Sequence, residues 1–228
     1  MTAPSTAAVF ASGGGSNLQS LLDHQSTDPP WRIGLVVSNR EDAGALDRAR
    51  SAGVPVAVIA TKGQAEDEVA ARTVAVLEAH GVDVIFLAGY LKLLPAAVVA
   101  SFRHRILNVH PALLPAFGGK GMYGMNVHRA VLESGARISG PTVHLADEVY
   151  DQGRILAQWP VPVRNGDTPE DLAARVLAAE HRLYPMVADH VCRALAEGLE
   201  PAPVVFPDHA WPAVPPHPPT DPQNEDPA

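Results

Sequence analysis

Asn108 and His110 stand two positions apart in the run Ile106-Leu107-Asn108-Val109-His110-Pro111-Ala112-Leu113-Leu114-Pro115. In a strand alternate side chains share a face, so the amide and the imidazole point one way and Val109 the other. Pro111 biases His110 towards an extended backbone and excludes a helix there, which holds the pair at a strand's carboxyl end. An amide beside an imidazole in such a place suits stabilising charge on a carbonyl oxygen while a proton is moved. An Asn-x-His pair is common by chance and a histidine is more often structural than catalytic, so the surrounding elements decide.

Upstream, the apolar strand Ala7–Ala11 runs into Ser12-Gly13-Gly14-Gly15-Ser16-Asn17, after which Leu18, Leu21 and Leu22 fall on one helical face. Glycines between a strand and a helix start let the backbone approach an anion and present free amides to it; an ordinary glycine turn is the equal alternative. Without Gly-Lys-Ser/Thr this is no Walker loop. Trp31–Ser38 reads as a buried strand, Ala43–Ala52 as a helix closed by Gly53 and Val54–Ala60 as a third strand. Glu66–His80 reads as a helix closed by Gly81, and Asp83–Gly89 as a fourth strand. Such alternation predicts an open parallel sheet with ligands outside the carboxyl ends of its strands. The glycine loop, Gly89-Tyr90-Leu91-Lys92 and Asn108/His110 all fall at such ends, where they can share one cleft.

Downstream, Phe117–Met125 is a glycine-rich surface loop carrying Lys120, and Asn126–Ser134 a helix. Ile138–Ala146, carrying His144, and Arg154–Val163 read as strands around the acidic turn Asp147–Gly153, a hairpin-like unit. Thr168 caps a helix with Pro169 in its first turn; it should run to about Tyr184, where Pro185 interrupts it, with a second segment ending at Gly198. From Pro201 onward 10 of the 28 residues are proline, which predicts an irregular tail.

Composition narrows the classes. A chain of 228 residues with 46% hydrophobic and 18% charged residues has the make-up of a globular protein with a sizeable core. The formal charge of −8 argues against broad nucleic-acid or anionic-membrane binding. One cysteine, Cys192, excludes an internal disulfide and reads as a buried small hydrophobe. No apolar run approaches the roughly 20 residues of a membrane span, and the start lacks a signal peptide's pattern, so a cytoplasmic protein is expected.

Five motifs then resemble, in order, the folate-dependent glycinamide ribonucleotide formyltransferase family: Ser12–Leu18, Leu87–Leu94, Asn108–Pro115, Thr142–His144 with Asp151-Gln152-Gly153, and Ala179–Pro185. The fold class implied is α/β, a Rossmann-like open, mainly parallel sheet with helices on both faces, continued by an antiparallel C-terminal strand or strands and a long helix. Residues 1–200 would form a single catalytic domain, with a phosphate-binding half at about 7–105 and a folate and catalytic half at about 106–200; residues 201–228 would be the tail. The resemblance implies a catalytic trio of Asn108, His110 and Asp151, with Asp151 orienting the imidazole and favouring its protonated form. It implies Gly14, Gly15, Ser16, Asn17 and Glu180 as contacts of glycinamide ribonucleotide, Glu180 holding the reacting amine. Lys92, Leu93, Leu94, Asn108, Asp147 and Asp151 would contact the co-substrate 10-formyltetrahydrofolate, and His144 would support the site. It also implies a cis Leu114–Pro115 bond. The remaining histidines, His24, His80, His104 and His128 among them, lack metal-ligand spacing, and no metal is expected. Small molecules are the expected partners of a monomer or homodimer, with neither nucleic acid nor membrane.

Four other readings compete. A formyltetrahydrofolate hydrolase would carry an extra domain ahead of the catalytic one, and a methionyl-tRNA formyltransferase one after it; a body spanning about 7–200 is expected to leave room for neither. A non-catalytic nucleotide-binding module would be signalled by loss of Asn108, His110 or Asp151, all of which are present. A dinucleotide dehydrogenase is disfavoured by Leu18 in the third glycine's place and by Ser38-Asn39-Arg40 where a ribose-binding acid belongs.

Overall fold

The computed structural model describes residues 3–206. Among them nine strands form: β1 (Ser5–Phe10), β2 (Trp31–Ser38), β3 (Val56–Val58), β4 (Val84–Leu87), β5 (Ile106–His110), β6 (Ile138–Ser139), β7 (Thr142–Leu145), β8 (Ile155–Gln158) and β9 (Val161–Pro162). Seven make one sheet in the order β3-β2-β1-β4-β5-β7-β8, and β6 pairs with β9 alone. Pairing is parallel from β3 to β5 and antiparallel for β5–β7 and β7–β8. The sheet order reverses its direction of growth between β1 and β4, so the crevice beyond their carboxyl ends is where an open sheet of this kind takes its ligand.

Six α-helices cover the sheet: α1 (Ser16–His24), α2 (Gly44–Ser51), α3 (Glu66–Ala79), α4 (Ala96–Ser101), α5 (Met125–Glu133) and α6 (Pro169–Ala196). Strict alternation along β1 divides the core in two. Ala7 and Val9 pack with Leu18 and Leu21 of α1, Leu46 of α2, Val131 of α5 and the apolar face of α6. Ala8 and Phe10 pack on the opposite face with Val69 and Leu77 of α3 and Val98 and Val99 of α4. Buried parallel strands must be apolar on both faces, and the continuous runs at Val84–Leu87 and Leu35–Val37 follow.

Three expectations are corrected. The strand read over Ile138–Ala146 is broken into β6 and β7, and that over Arg154–Val163 into β8 and β9. Gly140 has φ 138° and sits where an added Cβ would meet the Trp159 carbonyl oxygen at 1.8 Å, so the two strands cross between sheets at a point only glycine fits. Pro160 offers the partner strand no N–H at the same crossing. The short helix α4 follows Pro95, where the sequence reading assigned no element.

The third correction concerns the last helix. Thr168 and Asp171 form a reciprocal capping box, as the start signal implied. The helix then continues unbroken through Pro185 to Ala196. A proline inside a helix costs about 3 kcal/mol. Beyond it Val187, Ala188, Val191 and Cys192 are all fully buried, and burying large apolar side chains at about 1.5–3 kcal/mol each outweighs that cost. Tyr184 fixes the register, its buried hydroxyl reaching the carbonyls of Leu87 and Leu107 at 3.0 and 3.1 Å.

Of the proline-rich tail, residues 207–228 lie outside the described residues. Residues 201–206 run along β8, where Val204 N–H donates to the Leu156 carbonyl at 2.8 Å and Arg154 donates to the Pro201 carbonyl.

Candidate active site

The strand ends are stitched together before any ligand arrives. Ser12, just past β1, donates from Oγ to Asn39 Oδ1 beyond β2 at 2.6 Å and accepts from Leu91 N–H beyond β4 at 3.0 Å. Its own N–H donates to the Gly89 carbonyl. Next along, Gly15 caps α1 in the left-handed region at φ 76°, and an added Cβ would lie 2.8 Å from the Cα of Ala45 in α2. Arg48 of α2 donates to the Gly14 carbonyl at 2.7 Å. Close packing therefore accounts for Gly15 without any ligand. A Gly15→Ala change is expected to destabilise the protein by about 2–4 kcal/mol, combining left-handed strain with overpacking, as denaturant melts would measure. Unchanged stability in that variant would refute the packing account.

The centre lies on β5 and its antiparallel neighbour. Asn108 pairs with His144 across the strands, and His110 with Thr142. The His144 ring is buried, and its Nδ1 lies 2.9 Å from the Leu145 carbonyl, which can only accept. The Nδ1 proton goes there, so Nε2 is the acceptor for Asn108 Nδ2 at 3.0 Å. One hydrogen of the Asn108 amide is thereby fixed and the other is left over. His110 is 4% exposed; its Nε2–H donates to the Phe117 carbonyl at 2.9 Å and its Nδ1 faces Asp151 Oδ2 at 3.5 Å. Asp151 is held in place by Gly119 N–H at 2.8 Å, lies 3.6 Å from His144 Nε2, and adopts φ 57°. The Leu114–Pro115 bond is cis.

Burial acts on both charges. The His110 pKa falls below its ordinary value because burial outweighs the upward pulls of Asp151 and the Phe117 carbonyl. Asp151 thus pulls towards the charged ring, in the expected direction, but burial decides the net shift. For Asp151, burial works upward, but His144 when its ring is charged, His110 and the Gly119 amide hold the carboxyl below the usual carboxylate range.

A cavity of about 650 Å³ opens over this centre. Asn108, His110 and Asp151 line it with Asn17 of α1, Glu180 of α6 and Lys120 of the glycine-rich loop. Glu180 is 6% exposed and accepts from Asn17 Nδ2 at 2.5 Å. Burial pushes its carboxyl up to about 7, against the lowering by Asn17. Two buried polar atoms of residues in the lining, Asn17 Oδ1 and His128 Nδ1, have no hydrogen-bond partner among the described residues. Native interiors rarely leave such atoms unsatisfied, and both belong to residues that line this one cavity. A narrower slot joins this cavity through Tyr90, Asn108, Tyr150 and Asp151; Lys92, Leu93, Leu94, Asp147 and His144 line it further in.

All the residues expected at the folate thus meet in the slot, and Asn17 and Glu180 meet in the cavity. Gly14, Gly15 and Ser16 do not line either one. His128, set aside with the other histidines, turns out to be buried in the cavity wall. Its neighbours in sequence, Val127 and Val131, mark a buried helix face, and that was the one available signal. Among the described residues no cluster of His, Cys, Asp or Glu is arranged to hold a metal ion, and no helix is long and apolar enough to cross a membrane.

This architecture, with Asn108 and His110 at a strand end beside a slot and a larger cavity, defines a class. The formyl transferase family pattern matches residues 6–188, and the chain belongs to that family. Several relatives within it carry the name phosphoribosylglycinamide formyltransferase. Phosphoribosylglycinamide formyltransferase of Arabidopsis thaliana, named as chloroplastic, is 53% identical over 81% of this chain and 64% of its own length. That of Escherichia coli is 36% identical over 78% of this chain and 83% of its own. The crystal structure of glycinamide ribonucleotide transformylase 1 from Symbiobacterium toebii superposes with a TM-score of 0.77 at 41% identity, covering 86% of this chain and 89% of that one. The chain spans 60–64% of the length of the plant relatives from Arabidopsis thaliana and Vigna unguiculata. Because the Arabidopsis relative is named chloroplastic, a cytoplasmic location does not follow from kinship.

Proposed function

We propose that the protein transfers the formyl group of 10-formyltetrahydrofolate to the amine of glycinamide ribonucleotide, a step of purine synthesis, within one catalytic domain. The observation that carries this reading is the meeting of Asn108, His110 and Asp151 with the Asn17–Glu180 pair in one cavity, beside a slot whose lining mixes the apolar Leu87, Leu94 and Val99 with the polar Lys92 and Asp147. The Asn17–Glu180 pair is an acceptor-rich site for an amine. The names of the relatives support the same acceptor.

In this reading the pterin lies against Leu93, Leu94 and Asp147, and Glu180, held by Asn17, receives the acceptor's ammonium. The amine nitrogen bonds to the formyl carbon, and the carbonyl oxygen becomes an oxyanion. The second hydrogen of Asn108 Nδ2 donates to it. Since the Phe117 carbonyl holds Nε2–H, Nδ1 is the nitrogen of His110, facing Asp151, that takes up the proton the ammonium loses before its nitrogen attacks, and the ring gives that proton to solvent after the transfer. The charged ring then has the developing oxyanion on one side and the Asp151 carboxylate on the other. The proton lost by the attacking nitrogen then passes to the folate nitrogen as its bond to the formyl carbon breaks. No covalent enzyme intermediate is involved, and holding both substrates in place supplies much of the acceleration.

Absorbance of the folate reports loss of the formyl group from 10-formyltetrahydrofolate directly. Turnover that requires glycinamide ribonucleotide is expected. Turnover with water alone would replace this reading with a hydrolase, and none in either case would leave a binding module.

A further inference from the structure

Helix α5 carries a buried histidine that the proposed reaction does not use. His128 is 5% exposed, lines the cavity with Ala173, Ala174 and Leu177 of α6, and hydrogen-bonds to none of the described residues. Val127 and Val131 fill the core beside it at 0% exposure, so an apolar side chain at 128 would serve packing without leaving a polar atom unpaired. An unpaired buried polar group costs about 1–3 kcal/mol. Nδ1 is the sealed atom. Buried lone pairs are left unsatisfied more readily than buried N–H groups, which puts the proton on Nε2, the nitrogen remaining for the cavity. Burial and the neighbouring His110 both push the ring's pKa down, so it stands neutral near pH 7.

Four polar side chains of the cavity lining are buried: Asn17, His110, His128 and Glu180. Asn17 gives one amide hydrogen to Glu180, which when ionised has no hydrogen to donate, and His110 is engaged by Phe117 and Asp151. Of the four, His128 is the side chain that makes no hydrogen bond among the described residues. In an α-amino amide whose nitrogen lies beside His110 and Glu180, the next polar atom is the amide carbonyl oxygen, which can only accept. We propose that His128 is a substrate-binding residue whose Nε2–H donates to that carbonyl oxygen and so selects acceptors with an amide next to the reacting amine. This deepens the transfer reading above and rests on it.

The experiment pairs binding with kinetics. Calorimetry first establishes whether glycinamide ribonucleotide binds the wild-type protein. In protein labelled with ¹⁵N-histidine, the His128 signals, identified by their absence from a His128→Gln spectrum, should move on adding glycinamide ribonucleotide and stay put on adding the folate alone. In His128→Leu the KM for the acceptor should rise about tenfold, the loss of one good hydrogen bond, with kcat within about twofold and the folate KM unchanged. His128→Gln, which keeps a donor, should recover part of the loss. Equal acceptor affinity in wild type and His128→Leu, or wild-type signals that ignore bound acceptor, would overturn the assignment and leave the transfer reading intact. An acceptor that does not bind the wild type would overturn both. Should the leucine variant fail to fold, the wild-type signals decide.

Discussion

A His110→Ala protein is expected to bind both substrates within a few-fold of wild type and to turn them over about a thousand times more slowly. The size follows from what the ring does. Removing one donor aimed at a developing oxyanion costs about 10²–10³ in kcat, and loss of a positioned acid or base costs about 10²–10⁴. His110 would supply the second of these at Nδ1, and its ring charge would stand beside the oxyanion to which Asn108 donates. Binding should survive because the slot and the Asn17–Glu180 pair are built from other elements, α1, α6 and the turns after β4 and β7. The fold should survive as well: the imidazole's one clear hydrogen bond is to Phe117, in a loop, while the β5–β7 ladder is backbone. Single-turnover rates with both substrates saturating make the measurement. Loss confined to KM would mean that His110 only binds, and near-normal turnover would move the chemistry elsewhere.

How much of this site was legible in the sequence depended on whether its parts were local. The strand-end position of Asn108 and His110 follows from alternation and from Pro111, both readable within five residues. The start of α6 was equally readable, because a capping box is a three-residue event. Its far end was not, since Pro185 is tolerated only through burial of Val187, Ala188 and Val191 against a sheet assembled from distant strands. The breaks at Gly140 and Pro160 were written in plain residue types, yet a glycine and a proline inside two apolar runs look like tolerated exceptions until the crossing of β6 and β9 is seen. The site divided in the same way. Asp151 and Glu180 entered through resemblance alone, being 43 and 72 positions from Asn108 with no spacing to connect them. The sign of the His110 shift and the place of His128 were beyond either route. Each is set by burial, and burial in this cavity comes from β5, α5 and α6 together.

That dependence on burial gives Glu180 two opposed effects. Its carboxyl is raised from 4.5 to about 7 by burial, so the folded protein holds a proton that the unfolded chain releases. Below pH 4.5 both states are protonated and folding carries no penalty. As pH rises towards 7 the unfolded chain has already ionised, the folded state still binds the proton, and stability falls; above 7 the buried carboxylate costs about 3 kcal/mol. Glu180→Gln keeps the shape and can still accept from Asn17, so at pH 8 it should be more stable than wild type by up to that amount, and equal to it at pH 4. The acceptor reverses the balance. An α-amino group near pH 7 is largely ammonium, and leaving a buried charge without its partner costs 2–5 kcal/mol. The KM for glycinamide ribonucleotide should therefore rise about 30-fold or more in Glu180→Gln, with the folate KM unchanged. In wild type kcat/KM for the acceptor should decline as pH falls through about 7, a limb that reports the free protein and that the variant should lack. Denaturant melts at pH 4 and 8 and acceptor kinetics across pH 5–9 test both halves. A variant less stable at pH 8 would mean that Glu180 is stabilised by contacts beyond Asn17, and an unchanged acceptor KM would remove it from the amine site. If both effects appear, the carboxylate is held at a cost to the empty protein that the bound ammonium relieves, which is how a binding group is kept ready in a site whose walls exclude water.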